Sequence, residues 1–140
     1  MSRMGYPDTE EKIPTPGVRL DLPNHLQRRY LRGLCGALAV ALQRQTGFPL
    51  WGMFEGEDGP LHHAFVRDPA SGLALDVRGS MEIERVAEGA AVTDPVFRPI
   101  VRTDINEAFG PSRPQDIRDA GYVARVWFRT WDKTRTAPEP

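Results

Sequence analysis

The sequence predicts a single domain of the α+β class, and a buried helix and an antiparallel hairpin are the observations that predict it. Apolar residues recur at helical spacing around most of segment 35–45, so we expect a central helix that ends at Gly47. Segments 50–54, 61–67 and 73–77 have the composition of strands and are separated by turn-forming residues. Because only a short turn divides the last two segments, they are predicted to pair as an antiparallel hairpin.

The length and composition are those of one globular domain. A chain of 140 residues is long enough to bury a core without disulfides or metals. Prolines gather near both ends, and this composition predicts irregular chain there. We therefore expect an irregular arm over residues 1–20, a single domain over 21–132 and a disordered tail over 133–140.

Charge and cysteine content limit the partners and the compartment. A net charge of −1 gives no general attraction to nucleic acid or to anionic membranes. The single cysteine excludes an internal disulfide and suits a reducing compartment. Segment 1–12 lacks the apolar centre of a signal peptide, and no apolar run is long enough to span a membrane. We expect a cytoplasmic protein, or one exported without a cleaved signal.

The histidines do not have the spacing of a metal site. His62 and His63 are adjacent, and the only cysteine lies far from them in the sequence. A structural or catalytic zinc site needs three or four well-spaced ligands, so no metal is expected, and no segment indicates another cofactor.

Shorter elements are predicted around the central helix. Segment 24–31 is a helix with Asn24 as its N-cap, and segment 81–89 is a short helix. Segment 96–101 is a strand whose prolines place it at an edge of the sheet.

The C-terminal part is predicted to be helical. Asp104 and Glu107 form a capping box for a short helix that ends at Phe109. Apolar residues then recur at helical spacing from 117 to 131, although β-branched and aromatic residues leave a strand over 122–130 as the alternative. The helix is the preferred interpretation.

Cys35 lies at the position where the central helix begins. The free N–H groups and the dipole of a first helical turn favour an anion, and a thiolate is such an anion. The alternative is a small buried residue without reactivity, which is the usual state of a free cysteine. The sequence around Cys35 leaves both interpretations open.

The predicted hairpin brings a histidine and a carboxylate together. Alternation along the strand places His63 on the same face as Leu61 and Phe65, with His62 on the other face. Pairing across a turn centred near residue 70 sets His63 opposite residues 76 to 77, within reach of Asp76. Asp76 has two other uses open to it, since it can cap a turn or pair with Arg78.

Thiol, imidazole and carboxylate are together the groups that an activated cysteine nucleophile requires. They occur here in the order Cys–His–Asp, in the segments Arg32-Gly33-Leu34-Cys35, His63-Ala64-Phe65-Val66 and Leu75-Asp76-Val77-Arg78-Gly79. These segments resemble the catalytic stretches of the papain-like cysteine protease superfamily, in its transglutaminase-like and arylamine N-acetyltransferase-like forms. The resemblance covers about residues 24 to 79. Small domains of this kind also occur as bacterial toxins and effectors and as phage proteins.

The resemblance implies a fold and a division of roles. The helix of Cys35 would pack on an antiparallel sheet, with Cys35 as nucleophile, His63 as general base and Asp76 as the residue that orients the base. His62 competes with His63, and the resemblance favours His63. The oxyanion would be stabilised by the backbone N–H groups of Cys35 and of its neighbours at the helix start, because no side chain is assigned to this role; Gln27 is only the nearest glutamine.

Two classes of function follow from these residues. The first is a cysteine-dependent hydrolase or acyltransferase of the peptidase, deamidase or transglutaminase type, acting on a protein or peptide through a thioester. The second is a non-catalytic binding module on the same fold, such as a phage-encoded inhibitor or an immunity partner. A deeply buried Cys35 with His63 directed away from it would exclude the enzyme.

Overall fold

The structure is a computed structural model, and it describes residues 17–135. This part of the chain contains four α-helices, five strands and one 3-10 helix. They follow in the order α1 (Asn24–Leu31), α2 (Cys35–Thr46), β1 (Leu50–Glu55), β2 (Leu61–Arg67), β3 (Ala74–Asp76), β4 (Gly79–Met81), the 3-10 helix (Ile83–Ala87), β5 (Pro95–Pro99), α3 (Arg102–Phe109) and α4 (Pro114–Arg135).

The strands form one antiparallel sheet, which confirms the predicted α+β class. Its strand order is β4-β3-β2-β1-β5, so β1 and β2 lie in the middle. Leu50 on β1 lies opposite Val66 on β2, and Val66 in turn lies opposite Leu75 on β3. The hairpin predicted over 61–77 is therefore present as β2 and β3, but its register differs from the predicted one, because continuing the observed pairing sets Asp76 opposite Phe65 and not opposite His63. The proline-containing β5 occupies an edge of the sheet, as its composition predicts.

The larger part of the core lies between the sheet and the helices α2 and α4. Leu38 and Leu42 of α2 and Trp127 of α4 are fully buried there together with Val66 of β2. The opposite face of the sheet has a smaller core, in which Val86 of the 3-10 helix joins buried residues of three strands: Met53, Phe65 and Ala74. The sheet is therefore covered on both faces.

A bulge in β2 changes the face on which one residue lies. The pairing passes from Met53–His63 to Phe54–Leu61, so β2 has one extra residue at His62. Leu61 consequently packs against the larger core. The prediction that Leu61 shares a face with His63 is wrong, because simple alternation does not survive a bulge.

The other edge of the sheet was not predicted. β4 and the 3-10 helix replace the short helix expected over 81–89. The chain near residue 18 extends this edge, since the amide of Ser80 donates to the carbonyl of Val18 (2.8 Å) and the amide of Leu20 donates to that of Arg78 (2.9 Å). Residues 17–20 of the predicted arm thus pair with the sheet, and residues 1–16 lie outside the described part.

The predicted helix starts need two corrections. α1 has Pro23 at its N-cap and no side-chain cap, so the role assigned to Asn24 is wrong. α3 begins at Arg102, which makes Asp104 its third residue; its carboxylate accepts a hydrogen bond from the amide of Val101 (2.9 Å). The helical interpretation of the C-terminal part is confirmed, and α4 continues through Arg135, beyond the boundary expected at 132.

Gly36 allows α2 and α3 to approach each other closely. A Cβ atom at this position would overlap Cγ2 of Ile105, and both residues are buried. We expect Gly36→Ala to lower the free energy of unfolding by about 1–3 kcal/mol, because the packed helices must separate. Urea denaturation measures the change. Gly33→Ala is the matched control, since a Cβ at Gly33 meets open space; equal stability of the two variants would contradict the prediction.

Candidate active site

Cys35 is the first residue of α2, as predicted, and its side chain is directed inward. The residue is only 1% exposed. Its amide donates a hydrogen bond to the carbonyl of Arg32 (3.0 Å), which closes the turn that leads from α1 into α2. At its other end α2 stops at Gly47, which has the left-handed conformation expected of a C-cap. The helix therefore holds the thiol at a defined point against the sheet.

His63 and Asp76 lie side by side on one face of the sheet. They are two residues from Phe65 and Ala74 along their strands, and both of these belong to the smaller core. The ring of His63 is stacked on that of Phe65, with ring centroids 6.2 Å apart. Its Nε2 lies 3.1 Å from Oδ2 of Asp76, and the two residues are only 3% and 2% exposed. The pair is therefore shielded from water.

Asp76 also serves the two other uses that the sequence left open. Its Oδ1 accepts a hydrogen bond from the amide of Arg78 (2.8 Å), which caps the turn between β3 and β4. Its Oδ2 lies 2.6 Å from Nη2 of Arg78, and the same guanidinium donates to the carbonyls of Val86 and Glu88. Arg78 thus ties the carboxylate to the segment around the 3-10 helix.

The C-terminal helix fixes the backbone of the same aspartate. Nε1 of Trp127 donates to the carbonyl of Asp76 at 2.6 Å, and Nε1 of Trp131 donates to Oγ of Ser80 at 3.0 Å. Sequence reasoning did not find these contacts, which join positions 51 residues apart. The available signal was general: a buried indole N–H needs an acceptor.

The electrostatics of the site favour charged forms of both partners. Burial by itself would lower the pKa of His63, but hydrogen bonds to Asp76 and Cys35, together with their charges, raise it to about 9. Burial likewise acts to raise the pKa of Asp76. The hydrogen bond from His63 and the nearby charge of Arg78 outweigh that effect and hold the pKa well below its usual range. These interactions favour the imidazolium form of His63.

The ring of His63 responds to both partners. Its Nε2 faces Asp76 at 3.1 Å, and the side chain of Cys35 acts to raise the pKa of the same ring. A proton can pass between Cys35 and His63 without changing the total charge of the group formed with Asp76 and Arg78. That total is zero for the thiol and the neutral imidazole, and also for the thiolate and the imidazolium. A neutral group avoids the large free-energy cost of burying an uncompensated charge.

The amide of Cys35 and the side chain of Gln27 are not free to serve as oxyanion donors. The amide of Cys35 donates to Arg32, and Nε2 of Gln27 donates to the carbonyl of Leu22 at 2.8 Å. Among the residues that the structure describes, the amides of Gly36 and Ala37 have no backbone acceptor. Of the helix-start N–H groups expected to serve the oxyanion, these two in the first turn of α2 are the candidates that remain.

A cavity of about 490 Å³ opens beside the imidazole of His63. It lies between the end of α1 and the chain that follows the 3-10 helix, and Cys35 is not part of its wall. Its lining residues are Arg28, Leu31, Arg32, Met53, His62, His63, Arg78, Val86, Glu88, Gly89, Ala90 and Ala91.

Comparisons with known proteins give no relative. No protein-family model, curated protein or solved structure matches the chain. Within residues 17–135, no helix has both the length and the apolar character needed to cross a membrane. The same residues include no group of three or more His, Cys, Asp or Glu side chains placed to hold a metal ion.

Proposed function

We propose that the protein is a cysteine-dependent hydrolase or acyltransferase of the papain-like type, acting on an amide bond of a protein or peptide. The observation that carries the proposal is the buried contact between His63 and Asp76. Cys35 interacts with the same imidazole and helps to raise its pKa. A carboxylate, an imidazolium and a thiol in this order provide an orienting group, a proton donor and acceptor, and a nucleophile.

In the first step the Cys35 sulfur attacks the carbonyl carbon, and a carbon–sulfur bond forms while the carbonyl oxygen takes the negative charge. The imidazolium of His63 then gives its proton to the departing amine as the carbon–nitrogen bond breaks. The product on the protein is a thioester. Asp76 keeps the ring in place throughout, because its carboxylate is held on the other side by Arg78.

The second step uses the same histidine as a base. Transfer of its proton to the amine leaves the imidazole of His63 neutral. The thioester also lacks the thiolate charge by which Cys35 helps to raise the pKa of His63. The neutral imidazole can then take a proton from water or from an acceptor amine as it attacks the thioester. Water gives hydrolysis, and an amine gives acyl transfer.

The burial of Cys35 favours a second candidate, a binding module in which the three residues stabilise the fold. A sulfur in a residue that is 1% exposed is not open to a substrate unless neighbouring groups move. Most free cysteines so deeply buried are unreactive. His63 nevertheless interacts with Cys35, and a purely structural thiol does not require that partner.

Reaction with p-nitrophenyl acetate distinguishes these two functions. We expect a burst of p-nitrophenol equivalent to one Cys35 per chain, with one acetyl group found on the Cys35 peptide by mass spectrometry. The variant Cys35→Ala should show no burst. Faster release of p-nitrophenol on addition of glycinamide would indicate acyl transfer. A native, folded protein that leaves Cys35 unacetylated would overturn the proposed enzyme and favour the binding module.

A further inference from the structure

The arginine side chains at the C-terminal end of α1, and just after it, point in two different directions: one toward α4 and two toward the cavity beside His63. Nη2 of Arg29 lies 3.5 Å from Oδ2 of Asp119 and 3.8 Å from Oδ1 of Asp116, so this side chain is directed to α4. Arg28 and Arg32 are four positions apart and both line the cavity beside His63.

Three other charged side chains line the cavity, and each is compensated within the fold. Arg78 and His63 both pair with Asp76, at 2.6 Å and 3.1 Å, and the carboxylate of Glu88 pairs with Arg85 at 3.2 Å. Neither Arg28 nor Arg32 has an ion-pair partner among residues 17–135. The cavity next to the imidazolium therefore presents two uncompensated guanidinium groups.

We propose that this cavity binds a carboxylate of the substrate, so that the scissile amide of an acidic peptide is placed beside Cys35. The inference rests on the proposed function and specifies its substrate class. A guanidinium presents its N–H donors in a planar fork that matches the two oxygens of a carboxylate. Leu31, Met53 and Ala90 add apolar side chains to the wall, and these suit the aliphatic part of a peptide.

The charge of an alkylating reagent tests this inference without a known substrate. Iodoacetamide and iodoacetate react in the same way: the Cys35 thiolate attacks the methylene carbon, a sulfur–carbon bond forms and iodide leaves with the electrons of the carbon–iodine bond. The two reagents are similar in size, but only iodoacetate carries a carboxylate. The ratio of their rate constants therefore measures how far the site favours an anion beside Cys35.

We expect the double variant Arg28→Gln/Arg32→Gln to lower the iodoacetate-to-iodoacetamide ratio by roughly tenfold, because a charge-lined cleft concentrates ions of opposite sign. The matched control is Arg44→Gln/Arg125→Gln, which removes the same charge from a separate cavity beside α2 and should leave the ratio unchanged. Added salt should lower the wild-type ratio and have less effect on the double variant.

The possible results separate this inference from the proposed function. Rapid labelling of wild-type Cys35 by iodoacetamide, with a ratio that Arg28→Gln/Arg32→Gln does not change, overturns the carboxylate site and leaves the proposed enzyme standing. Slow labelling by both reagents that His63→Ala does not alter overturns both. An equal fall in the ratio for the two double variants would show a general charge effect and would also overturn the carboxylate site.

Discussion

Replacing His63 with alanine is expected to lower the rate of Cys35 alkylation by iodoacetamide at neutral pH by at least about tenfold. The imidazolium of His63, with its pKa raised to about 9, is the positive charge beside the sulfur. Without that charge the thiolate loses its compensating partner, and only the thiolate reacts with the reagent. Cys35 is the single thiol of the chain, so the incorporated label reports on this site alone.

His25→Ala is the matched control for this experiment. This histidine is exposed on α1 and does not line the cavity beside His63. We expect its loss to leave the labelling rate nearly unchanged. The rates of all three proteins are compared at the same neutral pH. Equal rates for the wild type and the two variants would show that Cys35 is an ordinary buried thiol.

Asp76→Asn should lower the free energy of unfolding by about 3 kcal/mol or more at pH 6, because it removes one charge from a buried, hydrogen-bonded group. The substitution leaves Arg78 and His63 without the carboxylate that compensates them. Guanidinium chloride denaturation measures the loss. Asp58→Asn, in the exposed turn after β1, is the control with the same chemical change, and it should leave the free energy of unfolding unchanged. A loss as small as that of the control would contradict the assigned role of Asp76.

The same pair makes stability depend on pH in a defined window. His63 has a pKa of about 9 in the fold against 6.5 as the reference value, so its contribution is complete below pH 6.5 and is lost as the pH rises through 9. The pKa of Asp76 is lowered from 3.8, so its contribution is complete above that pH and is lost in acid. The difference in the free energy of unfolding between the wild type and Asp76→Asn should therefore be largest between about pH 4 and 6.5.

Local signals predicted the elements that carry the three site residues. The apolar period of α2 and its glycine C-cap are properties of one continuous segment, and the same is true of the β2–β3 hairpin. The position of Cys35 at a helix start and the approach of His63 to Asp76 follow from those two units. Hairpins and helices are predictable because few residues, close in sequence, determine them.

The features that were missed depend on distant parts of the chain. β4 is three residues long, and its Gly-Ser-Met composition has no strand character of its own. It is held by β3 on one side and by the chain around Val18 on the other. The bulge at His62 is a property of the pairing with β1, so no pattern within β2 indicates it.

The contact of Trp127 with the carbonyl of Asp76 has a consequence for biosynthesis. Cys35, His63 and Asp76 are all synthesised before α4, yet the indole that holds Asp76 and much of the core behind α2 come from that last helix. During translation the three residues are therefore present without the support that aligns them. The three residues of the candidate site are therefore expected to take up their final alignment only after α4 has been synthesised and has packed against β3 and α2.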